Sequence, residues 1–211
     1  MSQSDHTPLF SSSDEWDLLH FERFQWKKGL SVAGVDEAGR GCLAGPVVAA
    51  AAIFPQNLII PEVNDSKKLS AKKRLELSHI IREKAISWAV GLCSPTEIDE
   101  LNILWASMEA MRRAIMKLHT APEYVLIDGN KSIPHLSIRS RSIVKGDSLS
   151  HSIAAASILA KTHRDALMHE LHDTHPEYGW ETNVGYPTAA HYAALHKNGP
   201  TEHHRRSFRL Q

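Results

Sequence analysis

The sequence predicts an α/β fold in which a mixed central sheet is flanked by helices. Three observations carry the expectation. Apolar strand-like runs come early, at Leu30 to Asp36, Pro46 to Phe54 and Ile86 to Leu92. Two shorter runs follow, at Glu123 to Asp128 and Ile138 to Val144. Helical patterns separate and follow these later runs. Strands that pair first as a meander and then alternate with helices give a mixed sheet with helices on its faces.

The elements are justified in order. Met1 to Ser13 is polar and Ser-rich and reads as a flexible tail, residues 1–13, ahead of a single domain over residues 14–211. From Asp14 to Lys28 the residues Trp16, Leu19 and Phe24 recur at helical spacing, and Gly29 suits a C-terminal cap. Leu30 to Asp36 is a strand. Ala38-Gly39-Arg40-Gly41 supplies a turn, and Pro46 to Phe54 is almost wholly apolar, as a strand buried on both faces must be. Ser70 caps a helix to about Ala85, whose Leu75 and Ile81 share a face, and Ile86 to Leu92 returns as a strand. Ser94-Pro95-Thr96-Glu97 is a capping box with proline at the first helical position, opening a helical run to about Leu118. Two short strands then end at Asp128-Gly129-Asn130 and near Lys145-Gly146-Asp147. A long helix runs from Ser150 to His172, where Ala154-Ala155-Ala156 permits close approach of another element. A last helix, Thr188 to Lys197, is stopped by Asn198-Gly199-Pro200.

Composition narrows the function classes. At 211 residues, 42% hydrophobic and 23% charged, the chain suits one well-buried domain and neither a disordered nor a membrane protein. No apolar run reaches the roughly 18 residues of a membrane helix, and no export or transit signature opens the chain, so a cytoplasmic location is expected. The two cysteines, Cys42 and Cys93, form no CxxC pair and read as free thiols. His169, His172 and His175 could share a helical face, but no His-Glu-x-x-His signature accompanies them, and a structural or solvated role is expected. With 24 basic and 24 acidic residues, binding of nucleic acid by bulk charge is disfavoured. The basic residues are nevertheless clustered, at Lys67, Lys68, Lys72, Lys73 and Arg74, at Arg139, Arg141 and Lys145, and at His203, His204, Arg205, Arg206 and Arg209. Each cluster read alone is a solvated face. Only arrangement around a catalytic centre would make it a phosphate track.

The chemistry lies at the strand ends. An apolar strand finishing in Asp36-Glu37 must satisfy two adjacent charges, and a divalent cation would do so. Adjacent strand residues point to opposite faces, so both reach one site only if the strand ends there or Glu37 lends its backbone carbonyl. Taken singly, Asp36-Glu37 could be a solvated strand end and Asp128 a turn residue, and Asp147 is no stronger. Together, three strands ending in carboxylate can converge oxygen donors on Mg²⁺ or Mn²⁺, hard ions that suit such ligands better than zinc does. Two such ions are the usual device for in-line displacement at a phosphodiester.

Longer motifs sharpen the reading. Gly34-Val-Asp-Glu-Ala-Gly-Arg-Gly-Cys-Leu-Ala-Gly-Pro46 resembles the opening motif of bacterial ribonuclease HII. In the same family's order follow Asn64-Asp65-Ser66-Lys67-Lys68-Leu69, Ile127-Asp128-Gly129-Asn130, Lys145-Gly146-Asp147 and Ala154 to Lys161 with Arg164-Asp165. Gly185-Tyr186-Pro187-Thr188-x-x-His191 and His204-Arg205-Arg206-Ser207-Phe208 complete the set. The resemblance spans Val32 to Phe208; a departure such as Thr162 touches no expected catalytic group.

The resemblance implies a ribonuclease H-like fold and an endoribonuclease that cuts 5′ to a ribonucleotide, in RNA/DNA hybrids or in duplex DNA with embedded ribonucleotides. Products would carry a 3′-hydroxyl and a 5′-phosphate, in ribonucleotide excision and primer RNA removal. It implies Mn²⁺ or Mg²⁺ held by Asp36, Glu37, Asp128 and Asp147. It further implies that Gly39, Arg40 and Gly41 bring main-chain groups to the 2′-hydroxyl, the one group that separates RNA from DNA locally. Tyr186 is similar to a tyrosine that bonds this hydroxyl and stacks on the following sugar, although a half-buried core tyrosine would look the same. Asn64, Ser66 and Lys67 resemble phosphate contacts, although a helix-entry loop would also use them. A monomer without membrane association is expected. Ribonuclease HIII is a weaker match, since it would lack Gly-Arg-Gly. A catalytically silent nucleic-acid-binding module on the same fold is disfavoured by the presence of all four acids.

Overall fold

The computed structural model describes residues 17–64, 66 and 69–210. The expected tail of residues 1–13, the first residues of the helix expected from Asp14, and Lys67 therefore lie outside the described residues. The five strands are β1 (Val32–Ala38), β2 (Val47–Ile53), β3 (Ser87–Cys93), β4 (Tyr124–Asp128) and β5 (Arg139–Ile143). They form one sheet in the order β3-β2-β1-β4-β5. β1, β2 and β3 pair antiparallel as the expected meander, whereas β4 joins the other side of β1 in parallel and β5 is parallel to β4. The sheet is thus mixed.

Helices cover both faces, and small residues decide how closely. β2 is Val-Val-Ala-Ala-Ala-Ala-Ile and is buried throughout. Helices α3 (Pro95–Leu101) and α4 (Ile103–Met116) lie on one face, where Ala106, Ala110 and Ala114 meet Ala49, Ala51 and Ala89. Helices α2 (Ala71–Lys84) and α5 (His151–Thr174) lie on the other, where Leu77, Ile81, Ala154, Ala155 and Ile158 meet Ala50 and Ala52. A Cβ added at Gly34 would lie 2.2 Å from the Ser152 carbonyl carbon, and one at Gly91 would lie 2.3 Å from the Ala110 carbonyl oxygen. Glycine at each position lets a helix backbone approach the sheet closely. The alanine run of α5 is used as its sequence suggests. β5, Arg-Ser-Arg-Ser-Ile, lies at the sheet edge with Arg139 and Arg141 exposed, and charge there blocks edge-to-edge pairing.

Three boundaries depart from expectation. The single helical run to Leu118 divides into α3 and α4 at Asn102, whose φ is +65° and whose Oδ1 accepts from the N–H groups of Leu104 (3.0 Å) and Trp105 (3.3 Å). Asparagine tolerates the left-handed region and caps helices, so it ends one helix and starts the next. β1 continues through Ala38 instead of ending at Asp36. Among the described residues the first helix, α1, covers only His20–Trp26 and not the full stretch to Lys28. Two further helices, α6 (Trp180–Asn183) and α7 (Ala189–Asn198), close the chain, with Thr188 capping α7 as its sequence predicts.

Candidate active site

The carboxylates meet at the carboxyl ends of β1 and β4. Val35 is in register with Ile127 on these parallel strands, so Asp36 and Asp128, the next residues, sit side by side. Asp36 is buried, its Oδ1 accepting from the Glu37 N–H at 2.7 Å, and the nearby Ser157 hydroxyl of α5 acts to lower its pKa. Burial, then the charges of Glu37 and Asp128, hold its pKa well above the ordinary carboxylate value. Asp128 Oδ1 accepts from the Gly146 N–H at 2.6 Å. That bond docks the 3₁₀ turn Gly146–Ser148 against β4 and carries buried Asp147 to the same sheet end. A Cβ at 146 would crowd Ile153 Cδ1 at 2.7 Å and Asp128 Oδ1 at 3.2 Å, so glycine there leaves the Asp128 carboxylate in place.

Glu37 departs from the simplest expectation. Because β1 runs on to Ala38, alternation separates the side chains of Asp36 and Glu37. Glu37 turns to Arg40, whose Nη1 lies 3.2 Å from Oε1, yet it remains close enough for the Asp128 charge to act on it. Burial raises its pKa, and Arg40 opposes the rise. Among the described residues no three His, Cys, Asp or Glu side chains form a ready metal cage. Asp36, Glu37 and Asp128 are each turned to a local donor. The donor set nevertheless fits a hard divalent cation, since it is all oxygen and the mutual repulsion at Asp36 is what a cation would relieve.

The β1–β2 connection and the turn before α7 form a second cluster. Gly39 is buried with φ +93°, and a Cβ there would lie 2.0 Å from Arg164 Nε. Gly41 is exposed with nothing within 4 Å of a Cβ. Leu43 N–H bonds the Gly185 carbonyl at 2.8 Å, joining this loop to the turn that carries Tyr186. Tyr186 is 38% exposed, and its ring faces Lys161 Nζ at 5.4 Å and the Arg164 guanidinium at 6.0 Å. Burial raises its pKa, and the neighbouring Cys42 adds to the rise. The expected phosphate contacts divide: Asn64 is exposed, whereas Ser66 is buried with its hydroxyl 2.9 Å from that of Ser157.

A model of the family described as ribonuclease HII matches residues 33–211. The chain belongs to the ribonuclease HII family. It is 53% identical over 197 residues to a ribonuclease HII of Salinibacter ruber, covering 92% of this chain and 98% of the relative. It is 54% identical over 182 residues to one of Parabacteroides distasonis, covering 86% and 92%. Among solved structures, the RNase HII of Archaeoglobus fulgidus, determined in a PCNA complex, matches with TM-score 0.73 and 28% identity over 86% of this chain and 96% of that one. Membership makes the protein a hydrolytic, divalent-metal-dependent endonuclease of ribonuclease H type, on the fold that its sequence predicts.

Several residues of this ribonuclease HII chain carry structure that the sequence reading left without a role. Arg164 and Arg205 are wholly buried. His204, expected on a solvated basic face with Arg205, is buried too; its Nε2 lies 3.1 Å from His191 Nε2, and its Nδ1 accepts from the Thr201 N–H at 3.0 Å. His191 Nδ1 in turn lies 3.0 Å from the Tyr186 carbonyl. His175 packs edge-on against Trp180 at 5.7 Å, a structural role. The basic cluster before α2 is also partly structural, since Lys73 pairs with Glu62 and Glu76 and Arg74 with Asp165. A groove of about 1370 Å³, lined by residues such as Tyr192, Leu195, Phe208 and Leu210, shares no residue with the carboxylate cluster.

Proposed function

We propose that the protein hydrolyses the phosphodiester 5′ to a ribonucleotide in RNA/DNA hybrids and in duplex DNA with embedded ribonucleotides, leaving a 3′-hydroxyl and a 5′-phosphate. The observation that carries the reading is buried Asp36 beside Asp128 at the sheet end, repelled by its neighbours and held by Glu37 N–H. Asp36, Glu37, Asp128 and Asp147 would hold Mn²⁺ or Mg²⁺, Glu37 through its main-chain carbonyl if its side chain keeps to Arg40. Bound there, the ions supply an activated water and stabilise the leaving oxygen. The chain's own residues orient: Gly146 N–H fixes Asp128, and Glu37 N–H fixes Asp36.

Gly39, Arg40 and Gly41 would present main-chain groups to the 2′-hydroxyl, and Tyr186 would bond it and stack on the next sugar. Asn64, Ser66 and Lys67 would contact phosphate, Ser66 only after its hydroxyl turns from Ser157. The cellular roles are excision of misincorporated ribonucleotides and removal of primer RNA, by a cytoplasmic monomer. The test is cleavage of a duplex with one embedded ribonucleotide against a continuous hybrid, in Mg²⁺ and in Mn²⁺, with the product ends identified. Cutting on the 3′ side of the ribonucleotide, or no cutting in either metal, would overturn it.

A further inference from the structure

Two positive charges lie beneath the recognition loop, and all six of their hydrogen bonds end on main-chain carbonyls. Arg164 donates from Nε to Pro46 O (3.1 Å), from Nη1 to Val184 O (2.9 Å) and from Nη2 to Ala44 O (3.1 Å). Arg205 donates from Nε to Gly45 O (3.0 Å), from Nη1 to Arg40 O (3.0 Å) and from Nη2 to Pro46 O (3.2 Å). Among the described residues, neither guanidinium is in ion-pair contact with a carboxylate. Burying a guanidinium this way is costly unless the geometry of its bonds is good, and arginine's rigid planar fork spreads its donors over acceptors that a compact ammonium would meet less well. Burial lowers the Arg205 pKa only to about 10, so it is charged at neutral pH.

The peptide plane turns these bonds into an orientation device. There is no cis peptide bond among the described residues, and in a trans unit the C=O and the following N–H point opposite ways. Arg205 draws the Arg40 carbonyl inward at 3.0 Å, so the Gly41 N–H of the same unit points outward, where Gly41 is exposed. Arg164 joins the Ala44 and Pro46 carbonyls of this loop to the Val184 carbonyl, two residues before Tyr186, and stands over the Tyr186 ring. Gly39 and Gly185 leave the space, since a Cβ at either would lie 2.0 Å or 3.3 Å from the Arg164 guanidine group.

We propose that Arg164 and Arg205 are positioning residues for ribonucleotide recognition: Arg205 aims the Gly41 N–H at the 2′-hydroxyl, and Arg164 fixes the Tyr186 turn to the same loop. This rests on the reading that Gly41 and Tyr186 face that hydroxyl. The experiment measures binding of a duplex with one ribonucleotide and of the same duplex in all-DNA form, with Ca²⁺ present, for Arg205→Lys and Arg164→Lys. Lysine keeps the charge and loses the fork. The expected result is a preference for the ribonucleotide duplex narrowed by about threefold to tenfold, the scale of one neutral hydrogen bond, with all-DNA affinity and Mn²⁺ half-saturation unchanged. Equal weakening on both duplexes, an unchanged preference, or failure of both variants to fold would overturn the proposal in favour of a purely structural role. Gly41→Pro removes the N–H without touching either arginine. If Gly41→Pro and Tyr186→Ala both keep full preference, the underlying reading fails; if they narrow it and the lysine variants do not, only the positioning role fails. Combining Arg205→Lys with Gly41→Pro should add nothing to Gly41→Pro alone, because both act on one contact.

Discussion

Acidification from pH 7 to pH 5 should destabilise the fold through two buried histidines. His204 fits only as a neutral ring: its Nδ1 accepts from Thr201 N–H at 3.0 Å, so its Nε2 carries the hydrogen and donates to His191 Nε2. His191 accepts there because its Nδ1–H is committed to the Tyr186 carbonyl at 3.0 Å, and the Trp180 indole N–H donates to the same Nε2 at 3.1 Å. A proton on either ring would set donor against donor. Burial, then the neighbouring His191, His203 and His175, push His204 down to about 4. His151, buried and accepting from the Ile60 N–H at 3.0 Å, is likewise pushed by burial to about 4. The sign follows from linkage: below the ordinary value of 6.5 the unfolded chain takes up these protons and the folded chain does not, so stability falls with pH until about 4 and then levels. At pH 5 each histidine contributes a loss of about 2 kcal/mol, together a large fraction of the roughly 5 to 15 kcal/mol that holds a domain folded. Asp36 and Glu37 oppose this, since their raised pKa values make protonation on acidification favourable to the fold. Glu97, Asp99 and Glu109, held low by hydrogen bonds, are lost only below about pH 4.5. Urea unfolding at both pH values checks the sum, and His204→Asn should remove about 2 kcal/mol of the acid-induced loss. A midpoint unmoved between pH 7 and 5, or a variant with undiminished dependence, would refute the reasoning.

Other outcomes are expected at the site and beneath it. Asp36→Asn and Asp128→Asn should each take cleavage below detection with the fold intact, and Asp36→Asn should raise the melting temperature of the metal-free protein by removing a buried, repelled charge; near-normal turnover at saturating metal would remove these residues from the metal site. Gly34→Ala should cost about 1 to 3 kcal/mol, because its Cβ would meet α5 backbone that no side-chain rotation can clear, and a thermal melt equal to wild type would contradict so close an approach. Substrate affinity should fall with added salt in spite of zero formal net charge, and indifference between low and physiological ionic strength would make the basic clusters ordinary surface. Tyr186→Phe should lose about 0.5 to 1.5 kcal/mol of binding, while Tyr186→Ala should depress cleavage of a lone ribonucleotide more than of continuous hybrid; equal loss on both would assign the ring to general positioning.

Asp36 and Asp128 were legible in the sequence because their signal is one-dimensional, an apolar run that must be buried followed at once by an acid that resists burial. Asp147 departs from it, standing in a 3₁₀ turn four residues after a polar edge strand. The sheet was legible for a similar reason, since β2 has almost no polar residue and can only lie between two layers. Arg205 and His204 were not legible, because both stand in a run that reads His-His-Arg-Arg and resembles solvated charge. What buries Arg205 is a set of main-chain carbonyls about 160 positions earlier in the chain, and carbonyls leave no trace in side-chain pattern. Ser66 illustrates the same limit, since its inward bond to Ser157 spans 91 positions. The helix break at Asn102 is different. Asparagine between Leu101 and Ile103 was available as a stop and cap signal, and the helical periodicity on either side outweighed it.

On the proposed reading, the arrangement also links recognition to chemistry through the chain itself. Asp36 and Glu37 immediately precede the last paired residue of β1, Ala38, and Gly39 to Gly41 follow it directly. The connection is fixed at its start by strand pairing of Glu37 and Ala38 with Ala49 and Val48, and along its length by Arg205 on Arg40, Gly45 and Pro46. A group read by the Gly41 N–H is therefore held at a set offset from the carboxylates, with little freedom for the loop to adjust. On the proposed reading, a ribose that satisfies the loop brings its own 5′ phosphate to the metal site, whereas a deoxyribose offers nothing for the N–H to hold. Selectivity then needs no separate checking step, because the same rigid segment that recognises the sugar determines where the phosphodiester lies.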